Sequence, residues 1–326
     1  MSHFTVLKSE AVDFLNVKSG GVYFDMTFGG GGHSREILSR NQDITLICID
    51  RDISVYKNFE QLKKDFPASK LHFLNSKFSE VVEKIRDIDS SIVADGFVFD
   101  FGVSSMQLDN AERGFSFQND APLSMEMGLC KISAFDIVNS MPEEKLANLI
   151  YEFADEKKSR QISHAICRAR KIGKINTTLQ LADIVKSTVG RYNDTIHPAT
   201  RTFQAIRIAV NEELSEIRKA LVDVQKISKN GTRLSCISFH SLEDSIIKDF
   251  VLKNSLDYLS KEIFDQNYGV MKPKMFDLSG FKFFTNQLHK KTIAPSDEEI
   301  KENYRSRSAK MRSFEFLSNS DFKDPL

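Results

Sequence analysis

Gly29, Gly30, Gly31, Gly32 and His33 stand between an apolar run, "GVYFDMTF" (21–28), and the amphipathic stretch "HSREILSR" (33–40). Glycine at such a point lets backbone, not side chain, meet a ligand, and a helix opening behind it presents N–H groups that lack intrahelical partners. Asp50 ends the run "ITLICID" (44–50), twenty-five residues after Asp25, where an acid can accept both ribose hydroxyls of an adenosine moiety. Asp100 lies in a third run, "DGFVFDFG" (95–102), with Ser104 and Ser105 directly after it. Dehydrogenases space their glycines GxGxxG to seat a pyrophosphate, and four adjacent glycines followed by His33 fit that register badly. A phosphate-free adenosine ligand suits the loop better, S-adenosylmethionine among them, since its carboxylate can meet backbone N–H groups. From these residues alone a ligand-free turn, a loop-capping Asp100 and helix-capping serines stay open.

The segment "SFHSLEDS" (238–245) gathers His240, Ser241, Glu243 and Asp244. It reads as an acid–base or metal cluster, as a Ser–His pair, or as a capped helix start with Ser241 and Asp244 three apart. HExxH is absent, and Cys48, Cys130, Cys167 and Cys236 show no paired spacing, so no metal site is expected and the thiols are expected to be free.

These groups need a frame. Four apolar runs, at 21–28, 44–50, 70–75 and 95–102, alternate with helical patterns in "HSREILSR", "ISVYKNFEQLKKDF" and "SEVVEKIRDI". That βαβαβαβ order predicts an α/β, doubly wound, mostly parallel sheet with ligands beyond the carboxyl ends of its strands, where Gly31, Asp50 and Asp100 share one crevice. After residue 103 the pattern is a loop and then helices, until "TRLSCISF" (232–239) restores strand character behind the turn pair Asn230-Gly231. The economical organisation is a discontinuous domain, 1–105 and 200–326, around a helical insertion, 106–199. The tail looks less regular. The chain has 326 residues, 41% of them hydrophobic, and equal totals of 45 basic and 45 acidic residues, so a polyanion partner must be met by a local patch. The N-terminus lacks a basic start with an apolar core, and no run reaches membrane-spanning length; the expected compartment is the cytoplasm.

"YFDMTFGGGGHSREIL", "CIDRD", "DFGVSSMQLDNAERGFSF", "HPATRTFQAIRIAVNEEL" and "ISFHSLEDSIIKDF" together closely resemble the ribosomal RNA small subunit methyltransferase H family, also called MraW, from about residue 4 to residue 312. The resemblance implies a class I methyltransferase fold, Rossmann-like, with an inserted all-helical domain after the fourth strand. It implies S-adenosylmethionine as cofactor and methylation of a cytidine N4 amine in the decoding region of small-subunit ribosomal RNA, within an assembled or nearly assembled subunit. Carried over by motif, Gly31, Gly32 and His33 hold the cofactor's amino-acid part, Asp50 takes the ribose, and Phe78 packs beside the adenine. Asp100 and Gln107 match further cofactor positions. Asp100 is also the candidate acceptor near the amine, with Ser104 or Ser105 positioning the base; the two roles of Asp100 stay open. Arg113, His240 and Ser241 fall on the substrate side.

RNA contact requires basic residues. Residues 157–174 hold seven Lys or Arg and no acid. At helical spacing Lys157, Arg160, His164, Arg168 and Lys171 form one stripe and Ile162, Ala165, Ile166 and Ala169 another, so the stripe is either a solvated helix face or a phosphate-contacting surface. Arg201, Arg207 and the tail residues Lys301, Arg305, Arg307, Lys310 and Arg312 extend the basic inventory. One stretch departs from the family: where members read approximately D-G-P-L-D-M-R-M-D, this chain has "DAPLSMEMG", with Ser124, Glu126 and Gly128 in place of an acid, a base and an acid. A methyltransferase of another polymer, or a noncatalytic ribosome-assembly protein, would keep much of the same sequence. Which polymer takes up label, and whether turnover accompanies binding, separates them. A nicotinamide dehydrogenase is a distant third.

Overall fold

The computed structural model describes residues 5–190, 197–255 and 283–318. The start of the family likeness at residue 4, and those parts of the expected domains that fall elsewhere, lie outside the described residues. The chain divides into two compact units, Met1–Gly102 with Ser215–Leu326, and Val103–Leu214.

In chain order, α1 (Lys8–Leu15) precedes β1 (Val22–Asp25), α2 (Gly32–Arg40), β2 (Thr45–Asp50), α3 (Tyr56–Asp65), β3 (Lys70–Asn75), α4 (Val81–Ile88) and β4 (Ala94–Asp100). There follow α5 (Ser105–Asp109), α6 (Ala134–Ser140), α7 (Glu143–Ala154), α8 (Ser159–Ile172), α9 (Thr178–Val189) and α10 (Thr200–Asn211). The chain returns through α11 (Glu213–Asp223), β5 (Ser228–Ser238), α12 (Ser241–Lys253), β6 (Phe283–Gln287), α13 (Asp297–Glu302) and β7 (Lys310–Ser318).

The first unit is built on a seven-stranded sheet in the order β3-β2-β1-β4-β5-β7-β6. β1 to β5 pair in parallel and β7 runs antiparallel to both its neighbours, the topology of the class I methyltransferase fold. Consecutive residues such as Tyr23 and Phe24, Leu46 and Ile47, and Phe97, Val98 and Phe99 are all buried, as a sheet covered on both faces requires. Each such side chain contributes about 1.5–3 kcal/mol on leaving water. Because the strand order reverses between β1 and β4, their carboxyl ends, at Asp25 and Asp100, flank the switch point.

β3 has the bounds its apolar run predicts, whereas β1 stops at Asp25 because Met26 to Gly31 turn into the loop. Asn230-Gly231 is no turn before the strand. It lies inside β5, where pairing jumps from Ala94↔Ser228 to Gly96↔Arg233 and Gly231 takes φ +79. The tail, which looked less regular, supplies β6 and β7.

The second unit has its own core, including Leu123, Met125, Ile137, Leu146, Ile150, Ile162, Ile166, Leu181, Val185, Phe203 and Ile206. The unit ends at Leu214, not at the expected 199, because α10 turns Phe203, Ala205, Ile206 and Val210 into that core. It begins at Val103, three residues before the expected start, because Ser104 caps α5. No helix among the described residues is long and apolar enough to cross a membrane.

Candidate active site

The glycine loop takes its shape from residues it does not contain. Phe28 N–H donates to Ile49 O at 2.8 Å, which ties the loop to β2, and Gly31 N–H donates back to Phe28 O at 2.7 Å. Gly29 and Gly31 sit at φ +50 and +77, left-handed backbone that side chains resist. A Cβ on Gly32 would lie 1.7 Å from Thr5 Oγ1, so that position admits glycine alone. Gly31, as N-cap of α2, provides no side-chain cap, which keeps the positive helix end suited to an anion such as a carboxylate. His33, expected with Gly31 and Gly32 in the loop that holds the cofactor's amino-acid part, stands in the first turn of α2. Its imidazole is buried and Nε2 lies 3.2 Å from Val6 O, so it secures the N-terminal segment.

Three acids end three adjacent strands. Asp50 Oδ2 accepts from Gly29 N–H and Oδ1 from Asp52 N–H, both at 2.8 Å, while each oxygen keeps a further lone pair for a hydroxyl. Burial pushes its carboxyl up to about 6 although those two amides pull it down. Asp25, overlooked by the sequence reading except as a point to count from, is buried. It accepts from Ser34 Oγ at 2.6 Å and Thr27 N–H at 3.3 Å, and burial likewise raises it to about 6. Its place at a strand end was hidden, because the apolar run 21–28 continues past it through Met26 and Phe28. Asp100 N–H donates to Thr27 Oγ1 at 2.7 Å, yet Asp100 Oδ1 is buried with no hydrogen-bond partner among the described residues. Burial holds this carboxyl well above the usual range, reinforced by the negative charges of Asp25, Glu243 and Glu299. A buried carboxylate oxygen left unmatched in this way fits a ligand that brings a proton donor or positive charge. Together with the side-chain-free loop and Asp50, the donor set suits S-adenosylmethionine.

Phe78 starts a short 3-10 turn after β3 and is half-buried, edge-on to Phe99 and Phe101 at 6.1 and 5.8 Å between ring centroids. It thus has a partly open ring beside the strand that ends at Asp100. At α12 the N-cap is His240, not Ser241. Glu243 Oε2 accepts from Phe239 and His240 N–H at 2.8 and 3.2 Å, and His240 Nε2 stands 3.1 Å from Glu243 Oε1. Ser241 is exposed in the first turn. Asp244 caps nothing and instead pairs with Arg312 through two bonds of 2.7 and 3.2 Å.

The remaining candidates belong to the helical unit. Ser104 and Gln107 form a reciprocal capping box, Gln107 N–H to Ser104 Oγ at 3.2 Å and Ser104 N–H to Gln107 Oε1 at 3.0 Å, the helix-capping role that stayed open for Ser104. Ser105 is half-exposed at the helix start. Arg113 is half-buried and donates to Glu126 O at 2.6 Å, where it holds the altered loop together. Lys157, Arg160, His164, Arg168 and Lys171 are all exposed, while Ile162 and Ile166 are buried, as the two-stripe pattern predicts. His164 Nδ1 lies 3.1 Å from Glu143. Arg201 is exposed and reaches Asp155 O. Two members of the expected basic inventory are already engaged: Arg207 binds Glu213 bidentately at 2.9 and 3.0 Å, and Arg312 binds Asp244 as above. Such paired guanidinium–carboxylate contacts leave little for a phosphate.

Residues 1–317 match the model of the MraW methylase family. A curated relative, Ribosomal RNA small subunit methyltransferase H of Ehrlichia ruminantium (strain Welgevonden), is 44% identical over 96% of this chain and 98% of its own. The protein of the same name from Rickettsia akari (strain Hartford) is 40% identical over 95% and 97%. The likeness to a solved rRNA methylase from Streptococcus thermophilus, TM-score 0.41 and 8% identity over 95% of both chains, adds no weight to these. Identity of this extent, with the glycine loop and the three strand-end acids in place, makes the chain a member of the MraW methylase family.

Proposed function

We propose that this methyltransferase transfers a methyl group from S-adenosylmethionine to the N4 amine of a cytidine in the decoding region of small-subunit ribosomal RNA, in the cytoplasm and on an assembled or nearly assembled subunit. One observation carries the reading: relatives named Ribosomal RNA small subunit methyltransferase H align with 95–96% of the chain at 40–44% identity. S-adenosylmethionine supplies an electrophilic methyl on a sulfonium centre. Gly31, Gly32 and the first turn of α2 hold its amino-acid part, Asp50 accepts from its ribose, and Phe78 packs beside its adenine.

The cytosine N4 lone pair is delocalised into the ring, so the amine attacks only when an acceptor holds its hydrogens. Asp100 has that character. Its Oδ1 has no hydrogen-bond partner among the described residues, and the positive charge of a bound sulfonium would favour the ionised form that burial disfavours, leaving a carboxylate able to accept a proton. With the cofactor bound, Asp100 would take the proton that the N4 amine loses when the methyl group is transferred. The exposed stripe of Lys157, Arg160, Arg168 and Lys171, with Arg201, meets the phosphate backbone. The target base must leave its stack to react, which favours a cytidine already accessible in the folded RNA.

The test offers methyl-labelled S-adenosylmethionine with unmethylated small subunits, naked small-subunit rRNA and a protein extract in parallel. Label recovered as N4-methylcytidine from the subunits supports the reading. Label in protein alone, or in a different nucleoside, overturns it.

A further inference from the structure

The N-terminal segment is fastened at three points. Thr5 Oγ1 fills the space that a Cβ at Gly32 would take, Val6 O meets the His33 imidazole at 3.2 Å, and Leu7 N–H donates to Glu299 Oε1 at 2.9 Å. The first two contacts are with the glycine loop and the opening of α2. The third comes from α13, 292 residues along the chain. Leu7 sits at φ 49, ψ 38, left-handed backbone that a leucine adopts only when its surroundings impose it, and it is fully buried. Glu299 is half-buried and supplies the hydrogen bond that holds this turn.

Gly29 and Gly31 contribute no side chain that could order the loop, so its order must come from neighbours: Phe28 and Asp50 beneath it, and Thr5 against Gly32. We propose that Glu299 is a positioning residue, latching the Thr5–Leu7 strap onto the glycine loop and so setting the affinity for S-adenosylmethionine. The inference rests on the cofactor reading above. Without the latch the Leu7 N–H is unpaired, the left-handed turn relaxes and Thr5 leaves Gly32. The loop must then be ordered by the ligand itself, which lowers affinity while leaving Asp50 and Asp100 in place.

The experiment titrates S-adenosylmethionine and, separately, S-adenosylhomocysteine into wild type, Glu299→Ala and Glu299→Gln by calorimetry, and measures methyl transfer to unmethylated small subunits. Glu299→Ala is expected to weaken both ligands about tenfold and to raise KM for S-adenosylmethionine equally, with kcat within about twofold of wild type. Glu299→Gln keeps an oxygen that accepts from Leu7 N–H and is expected to bind within about twofold of wild type. Wild-type affinity in Glu299→Ala overturns the latch. So does equal weakness in Glu299→Gln, which would make the charge near Asp100 the cause, or a fall in kcat with KM unmoved. A wild type that binds neither ligand overturns the cofactor reading and the latch with it.

Discussion

The glycine loop of the first unit and the 121–131 loop of the second are both irregular and both hold residues at positive φ, yet their polar groups are treated in opposite ways. In the second, Met125 and Leu129 take φ 57 and 51 although neither is glycine, because the loop is fastened from within its own unit. Asn211 accepts from Met127 N–H at 2.9 Å and donates to Met125 O at 2.8 Å, Ser124 Oγ donates to Glu126 at 2.7 Å, and Arg113 holds Glu126 O. In the first, the strand-end acids Asp25 and Asp50 accept from the loop, and Asp100 Oδ1 has no partner among the described residues. A loop that satisfies its own groups is scaffold, and one that leaves a buried acceptor open is built for something else to complete. The departures from the family pattern follow the same division. Ser124, Glu126 and Gly128 are half-exposed, while the matching Leu123, Met125 and Met127 between them are buried, so the scaffold is kept and the outward face is changed.

The sharpest test of this contrast compares two glycines. Gly32→Ala forces a Cβ to 1.7 Å from Thr5 Oγ1, and S-adenosylmethionine affinity measured by calorimetry is expected to fall at least a hundredfold, a loss of about 3 kcal/mol. Gly173→Ala, with nothing within 4 Å of the added carbon, is expected to leave affinity unchanged. Equal effects would dissolve the distinction.

Next in size is a pH effect confined to the first unit. Asp25 has a folded pKa of about 6 against an ordinary 3.8, so between those values the folded chain binds more protons than the unfolded one. Its contribution to stability is therefore full below the lower value and is lost as pH rises through the upper one, by roughly 3 kcal/mol. Asp50 acts in the same direction. Urea unfolding between pH 4 and 7 should show the decline, and Asp25→Asn should flatten it; an unchanged profile in that variant would remove Asp25 from the account.

Neutralising Arg160, Arg168 and Lys171 together should raise KM for small subunits about tenfold and lower the logarithmic salt slope by roughly two to three, with S-adenosylmethionine affinity unmoved. If the slope stays the same, that stripe is a solvated helix face. The smallest change is in a cap. Ser133 and Asp136 form a capping box on α6, and Ser133→Ala should cost about 1 kcal/mol of stability, read as a lower melting temperature, with methyl transfer unaffected.

Much of the frame was legible because buried parallel strands are runs of Val, Ile and Phe, and a run carries its own bounds, as at Lys70–Asn75. β7 was hidden by its charges. Lys310, Arg312 and Glu315 make "KMRSFEFLS" look like a basic arm, whereas Met311, Phe314 and Phe316 face the core. The cofactor loop, Asp50 and Asp100 were legible for a local reason, since each lies at or near the end of an apolar run, whereas Asp25 sits inside one. What side chains do there was not. The turn of His33 toward Val6, the Arg207–Glu213 and Arg312–Asp244 pairs, and the grip of Glu299 on Leu7 depend on the folded geometry, the last across 292 residues, and no spacing rule reads them.

The most direct measurement is the rate of N4-methylcytidine formation on unmethylated small subunits by wild type and by Asp100→Asn, quantified by mass spectrometry of the digested RNA. The account predicts methylation by wild type and a rate at least about a hundredfold lower in Asp100→Asn, which keeps the shape but not the proton acceptor. Asp100→Asn working at the wild-type rate, or wild type leaving the RNA unmodified, would contradict it.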